Sequence, residues 1–211
     1  MFTGITRGTY KIVAIERQPS LLCFEVELDD EQVEGLVVGA SVSIDGVCQT
    51  VVSIEGRRVR FDAIQESLDL TTLGALEIGC KVAVERSAKL GDEIGGHEVS
   101  GHVIGMGTVS EVQRQGHVSD LKIRVPTAWI KYILPKGFIA VDGSSLTVGE
   151  VDAAGLFTLH LIPETLRLTN LGDKQSGDRV NIELDPRTVA VVDTVERVME
   201  ERRKSDRSRK S

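Results

Sequence analysis

The chain has 211 residues, a net charge of −7 and an aromatic content of 4%, enough for one domain or two small ones. The acidic balance speaks against nucleic acid as the main partner, because phosphate recognition needs a basic surface. No secretory signal opens the chain and no apolar run is long enough to span a bilayer, so a soluble cytoplasmic protein without a membrane partner is expected.

The apolar mass is mostly Val, Ile and Leu beside 21 glycines, which favours short strands and tight turns over long helices. Val42 to Ile44 reads as a strand leading into Asp45-Gly46, a type I′ hairpin signal where both positions need positive φ. Thr50 to Ile54 is the returning strand, Glu55-Gly56 a further turn, and Val59 to Phe61 the next strand. Glu66 to Leu73 carries helical spacing through Leu68, Leu70 and Leu73. Val82 to Val84 alternates with charged neighbours, as an edge or half-buried strand would. Lys89 to His97 is Gly-rich and charged and reads as a linker.

The series then returns. Ser43 to Val51 aligns with Ala140 to Val148 at a spacing of 97 residues, and the same spacing pairs Gly4 and Gly8 with Gly101 and Gly105. After one inserted residue, Glu66 to Gly74 matches Glu164 to Gly172, and Gly79 to Glu85 matches Gly177 to Glu183. Four colinear blocks establish an internal duplication, and each copy suggests a small closed antiparallel barrel. Asp185-Pro186 marks a stop, after which Val191, Val192, Val195, Val198 and Met199 form one apolar stripe on a charged helix. The stripe suits packing on its own barrel or association between copies, and periodicity leaves both open. Arg202, Arg203, Lys204, Arg207, Arg209 and Lys210 make a basic end that reads as solvated and flexible.

The strongest ligand signal lies after the hairpin turns. Cys48-Gln49-Thr50 and Ser145-Leu146-Thr147 place small polar groups at equivalent points of the two copies. Such groups and the backbone amides of a barrel mouth suit a polyhydroxylated heterocycle. Taken singly, the two threonines are ordinary strand formers and Cys48 a small core residue; their coincidence in both copies favours a site. His102 can exchange a proton near neutral pH, although a lone histidine is more often structural. His97, Asp92 and Glu93 beside it match no metal-ligand spacing, so no metal is expected. Cys23, Cys48 and Cys80 form no CxxC pair and no disulfide framework. Lys136 stands where the first copy has Gly39, so the copies differ in charge there. Walker, GxSxG and Rossmann signatures are absent.

At these blocks the chain resembles the riboflavin synthase family, from Met1 to about Glu200. The resemblance rests on Met1-Phe-Thr-Gly-Ile5, Gly46-Val-Cys-Gln-Thr-Val51, Gly91-Asp-Glu-Ile-Gly-Gly-His97 and Ser100-Gly-His102. In the second copy it rests on Lys136-Gly-Phe, Asp142-Gly-Ser-Ser-Leu-Thr-Val148, Ile162-Pro-Glu-Thr-Leu166 and Asn181-Ile-Glu-Leu-Asp185. It implies an all-β chain of two tandem six-stranded antiparallel Greek-key barrels with a C-terminal α-helix. The expected division is a lumazine-binding barrel over 1–88, a linker over 89–97, a second such barrel over 98–186, a trimerisation helix over 187–203 and a basic flexible tail over 204–211.

The resemblance also implies a cofactor-free transferase. Two molecules of 6,7-dimethyl-8-ribityllumazine exchange a four-carbon unit, giving riboflavin and 5-amino-6-ribitylaminouracil, the last step of riboflavin biosynthesis. It implies a homotrimer in which the N-barrel of one subunit faces the C-barrel of its neighbour, and it leaves open an enclosing shell of lumazine synthase. The chemistry needs a proton taken from the C7 methyl of one lumazine and a nucleophile or water added at C7 of the other. Carried over, Ser41, Cys48 and His102 line the N-barrel side, and Lys136 and Asp185 the C-barrel side. His102 and Ser41 would handle protons or water, Cys48 would lie close to the reacting carbons, and Asp185 would orient or polarise a neighbour. Substrate contacts are expected in the first copy from Gly4, Ile5, Thr6, Gln49, Thr50, Asp62, Ala63, Ile64, Glu66 and Ser67. In the second copy they are expected from Val103, Ser145, Leu146, Thr147, Ile162, Pro163, Glu164 and Thr165.

Three residues depart from the family pattern: Thr6 where an aliphatic residue is usual, Asp45 where Asn is usual, and Gln49 where Leu is usual. Thr6 and Gln49 bear on the ring pocket, whereas Asp45 reads as a conservative turn residue. Two rivals share the scaffold, a non-catalytic lumazine- or flavin-binding antenna protein and a flavin-dependent reductase domain. The first should lose catalytic polar residues, and the second needs a nucleotide-binding domain after the barrel.

Overall fold

The computed structural model describes residues 1–208. The first copy forms β1 (Gly8–Gln18), β2 (Leu21–Glu27), a short α1 (Asp30–Val33), β3 (Ser41–Ile44), β4 (Val47–Glu55), β5 (Arg58–Ile64), α2 (Gln65–Leu70) and β6 (Lys81–Arg86). The second forms β7 (Gly105–Gln115), β8 (Val118–Arg124), β9 (Phe138–Val141), β10 (Ser144–Asp152), β11 (Leu156–Leu161), α3 (Pro163–Leu168) and β12 (Arg179–Leu184). The chain then continues into α4 (Pro186–Ser208). Each copy closes into an antiparallel barrel, in the order β1-β2-β5-β4-β3-β6 and, correspondingly, β7-β8-β11-β10-β9-β12. Closure satisfies every strand edge, and bulges at Ile12/Ala14, Val51/Ser53, Val109/Glu111 and Val148/Val151 bend equivalent strands in both barrels.

Alternation fills each lumen with apolar side chains. Val42, Ile44, Val51, Val59, Phe61, Val82 and Val84 occupy the first, and Ile139, Val141, Val148, Phe157, Leu159, Val180 and Ile182 the second. The sequence suggested an edge or half-buried strand at Val82 to Val84; instead β6 pairs with both β1 and β3, and Val82, Ala83, Val84 and Glu85 are all buried. Charged flanks describe only the ends of a strand whose other face meets the second barrel. The helical stretch after β5 breaks at Thr71, whose hydroxyl accepts from Leu73 N and starts a separate 3₁₀ turn over Thr72–Ala75. Leu73 is buried in consequence, and Leu70 is exposed.

Helix α4 runs through residues 204–208, so that part of the expected flexible tail is helical; residues 209–211 lie outside the described residues. Asp185 caps the helix, accepting from Thr188 N at 3.1 Å, Thr188 Oγ1 at 2.6 Å and Arg187 N at 3.2 Å. Lys131 reaches Asp193 and Glu196, and Tyr132 donates to Asp193, pinning α4 to the second barrel. Val191, Val195, Val198 and Met199 remain exposed, so this stripe does not pack on its own barrel.

The two hairpin turns meet back to back. A methyl group on Gly46 would lie 2.5 Å from Gly143 N, so no larger residue fits. Asp45 and Asp142 are buried beside this contact. Asp45 Oδ1 accepts from Ala83 N at 2.6 Å and Asn170 Nδ2 at 2.8 Å, while Asp142 pairs with Lys174 Nζ at 2.8 Å. Asn181 ties the junction together by donating to Asp45 O and Thr72 Oγ1. Asp45 is thus far more than a turn residue. Burial, then the neighbouring Asp142 charge, push its carboxyl up to about 8, so folding at neutral pH keeps it protonated.

A carboxyl raised on folding stabilises most below its unfolded pKa, and the benefit is lost as pH rises through the folded value. Stability should therefore fall between about pH 4 and pH 8. Asp45→Asn retains an acceptor for Ala83 N and removes the ionisation. Denaturant titrations should show the variant gaining on the parent as pH rises, by at least about 1 kcal/mol at pH 8. An unchanged pH slope would contradict the assignment.

Candidate active site

The N-terminal segment of each copy crosses to the other barrel. Phe2 and Val99 pair as an isolated antiparallel bridge, with N–H···O distances of 2.7 and 3.1 Å. Glu85 Oε1 accepts from Thr3 N and Thr3 Oγ1, both at 2.7 Å, and Oε2 accepts from Gly4 N at 3.0 Å. Glu183 repeats the arrangement with Ser100 N, Ser100 Oγ and Gly101 N at the same three distances. Beyond these clamps Gly4 O accepts from Ser145 N at 2.8 Å, and Gly101 O from Cys48 N at 2.9 Å. Both glycines hold positive φ, +73° and +80°, and both touch the residue they present. Each candidate site is therefore assembled from both copies.

On the C-barrel side a cleft of about 140 Å³ gathers Gly4, Ile5, Thr6, Ser145, Leu146, Ile162, Glu164 and Thr165, together with Ser144, Leu168 and Thr169. The first three come from the first copy. Thr6 Oγ1 lies 2.9 Å from Ser144 Oγ, so the polar departure at position 6 is satisfied within the wall. Glu164 is held by Arg167 at 2.6 Å, which keeps its carboxyl below the usual range. Thr147 is exposed on the same strand face as Ser145, and exposed Pro163 opens α3. Lys136 turns into β9 at φ +65°, the left-handed conformation its counterpart Gly39 adopts at +87°. A non-glycine residue held there marks a constrained position.

On the N-barrel side, Cys48 is half-buried beneath Gly101 and Phe2. Ser41 faces Thr50 across β3 and β4, and Gln49 points inward beside Val42. Gln49 Nε2 donates to Cys48 O at 3.0 Å, and its buried Oε1 has no hydrogen-bond partner among the described residues. His102 is exposed, with its backbone N–H on Ser100 Oγ, and Val103 packs on the first barrel. Ile64 caps α2, exposed Glu66 and half-buried Ser67 lie in its first turn, Ala63 is in the core, and Asp62 pairs with Arg60 on β5. A larger cleft of about 480 Å³, between α2, Arg17 and Arg179, contains none of the candidate residues.

Five residues outside the expected set shape the site. Phe2 is fully buried with Val99 and Ala140 against Cys48, and Glu85 and Glu183 hold the crossings. His97 Nδ1 lies 2.6 Å from Ser145 Oγ, and its ring stacks on Phe138 at 5.3 Å and 18°. The duplication already paired Glu85 with Glu183, and Phe2, His97 and Phe138 stand inside the family motifs, signals that could have been used. Asp185, as cap of α4, keeps its carboxyl below the usual range because donors from Thr188 and Arg187 outweigh burial. It also faces His97 electrostatically.

Comparison with known proteins shows the family. A family profile described as a lumazine binding domain matches residues 3–87 and again residues 100–185. Riboflavin synthase of Escherichia coli K12 is 50% identical over 200 residues, covering 94% of this chain and 93% of the relative. That of Chlamydia muridarum is 40% identical over 202 residues, covering 96% and 98%. Among solved structures, LumP complexed with riboflavin superposes with a TM-score of 0.82 at 27% identity, covering 88% of this chain and all of that one. LumP complexed with 6,7-dimethyl-8-(1'-D-ribityl) lumazine gives a TM-score of 0.78 at 27% identity, covering 87% and 98%.

A methyl group on Gly101 would lie 2.7 Å from Cys48 Cβ and face left-handed strain as well. Gly101→Ala should cost about 2–4 kcal/mol in denaturant titrations. Gly56→Ala, at φ +61° with open space around it, should cost only about 1–2 kcal/mol. Equal losses would show that the crossing contact has no weight.

Proposed function

The chain belongs to the riboflavin synthases of the lumazine-binding family, and we propose that its two barrels supply complementary halves of one dismutation site. As a synthase it converts two 6,7-dimethyl-8-ribityllumazine molecules into riboflavin and 5-amino-6-ribitylaminouracil. One lumazine is the four-carbon donor and the other the acceptor, so atoms balance without an outside oxidant or reductant. The observation that carries the reading is the paired crossing. Gly101 presents Cys48 in one half-site and Gly4 presents Ser145 in the other, in equivalent geometry with different chemistry.

The half-sites hold the two rings in register, and such orientation is worth ~7–11 kcal/mol of a bimolecular barrier. Cys48, Ser41 and His102 serve the N-barrel half, with His102 exposed where a second ring can reach it. Lys136 serves the C-barrel half, and Asp185 acts through its field, because its oxygens are committed to the α4 cap. Thr50, Gln49, Glu66 and Ser67 on one side, and Thr147, Ile162, Glu164 and Thr165 on the other, contact ring edges and ribityl hydroxyls. The facing halves come from neighbouring subunits of a homotrimer whose α4 helices bury Val191, Val195, Val198 and Met199 together; exposure of this stripe supports that assembly. LumP structures place riboflavin and the lumazine on the same fold. The synthase reading is favoured over antenna binding by the greater identity to synthases and by retention of Ser41, Cys48, His102, Lys136 and Asp185.

Incubation with the lumazine should produce riboflavin absorbance, with one riboflavin for two lumazines consumed. Tight binding without riboflavin would support the antenna reading instead. Cys48→Ser, His102→Gln and Asp185→Asn should each lower kcat, with about 10²-fold expected for a lost proton-transfer group. Full turnover in all three would reduce their roles to binding. Val195→Glu combined with Val198→Glu should release monomers in sedimentation and abolish turnover; an active monomer would remove the shared-site proposal.

A further inference from the structure

The stretch between the barrels ends in a clasp on Ser145. A methyl group on Gly96 would meet Thr3 O at 2.4 Å, Ser145 Cβ at 2.6 Å and Ser145 Oγ at 2.9 Å, so only glycine lets the chain approach so closely. Gly4 closes on Ser145 from another side, where a methyl group would lie 2.5 Å from its Cβ. His97 follows at once, with Nδ1 2.6 Å from Ser145 Oγ and its ring fixed on Phe138. Ser145 in turn lines the C-barrel cleft.

We propose that His97 is a positioning residue that acts through Ser145, accepting the Oγ–H proton and aiming the hydroxyl oxygen into the C-barrel half-site. This rests on the dismutation reading above and deepens it. In the step it serves, the Ser145 oxygen bonds to C7 of the lumazine held there. The electrons of the C6=C7 double bond move through N5 into the ring, and the hydroxyl proton passes to His97 Nδ1. Collapse of the adduct reverses all three changes and restores the serine. Ser145 thus answers Cys48, the nucleophilic side chain at the equivalent position of the other half.

The surroundings suit a neutral acceptor. Burial holds His97 below the ordinary histidine range, against the opposing fields of Asp185 and Glu183; Arg187 reinforces the depression. The ring therefore holds its proton less readily than a free histidine, and Asp185 and Glu183 favour the imidazolium that the step creates.

The test uses the full-length protein. His97→Asn keeps an oxygen near the place of Nδ1 but cannot take a proton, and Ser145→Ala keeps the backbone bond to Gly4. Each should lower kcat by about 10²-fold or more with little change in KM, and bound lumazine fluorescence should report intact half-sites. The double variant should lose no more than either single one, because both changes remove one relay. The wild-type kcat should fall with pH below the normal histidine range, and His97→Asn should lack that limb. Losses that multiply, an unchanged kcat in His97→Asn, or a retained acid limb would overturn the inference while leaving the dismutation reading intact. Wild-type protein that forms no riboflavin would overturn both.

Discussion

Two buried glutamates hold the structure in the form its chemistry needs. Glu85 and Glu183 each accept three hydrogen bonds from the opening segment of their own copy, which then reaches across to the other barrel. Hydrogen bonds to an ionised acceptor are worth about 1.5–3 kcal/mol each, and here they oppose the cost of burying the carboxylate. That cost is visible at Glu85, where burial raises the carboxyl and the donors of Thr3 and Gly4 pull it down. Without the clamps, Gly4 and Gly101 would have no fixed position from which to present Ser145 and Cys48. The placement of both glycine-led segments depends on these two contacts.

The crossing resolves a difficulty inherent in duplication. Two separate barrels would each carry a site built from their own residues, and the sites would diverge independently. Here each half-site borrows its glycine-led segment from the other copy, so the halves are coupled in one rigid body. Their chemistry is nevertheless unequal. Cys48 stands opposite Ser145, Gln49 opposite Leu146, Ile5 opposite His102, and Asp69 opposite Arg167. On the proposed reading two identical substrates adopt different roles, and unequal pockets would tell them apart. The duplicated backbone supplies matching geometry, while side-chain divergence supplies the distinction.

The hairpin junction shows the same economy with a penalty attached. Gly46 against Gly143 brings the barrels together closely enough to seal Asp45 and Asp142 from water. Lys174 neutralises one carboxylate, and the other stays protonated. Asn170 and Asn181 donate to Asp45 Oδ1 and Asp45 O across the interface and offset part of this cost.

The internal repeat, the Asp-Gly turns and most of the strand pattern were legible in the sequence by itself, because alternation and turn chemistry are local. Family motifs carried the activity and much of the cleft, including Gly4, Ile5, Ser145 and Ile162. Tertiary structure alone decided that β6 is buried on both sides, that Asp45 is sealed, and that Glu85 and Glu183 are clamps. It also decided that a glycine-rich stretch resembling a linker ends as a clasp on Ser145. These are contacts between residues about 40 to 140 positions apart, and no local period encodes which barrel a crossing segment will meet.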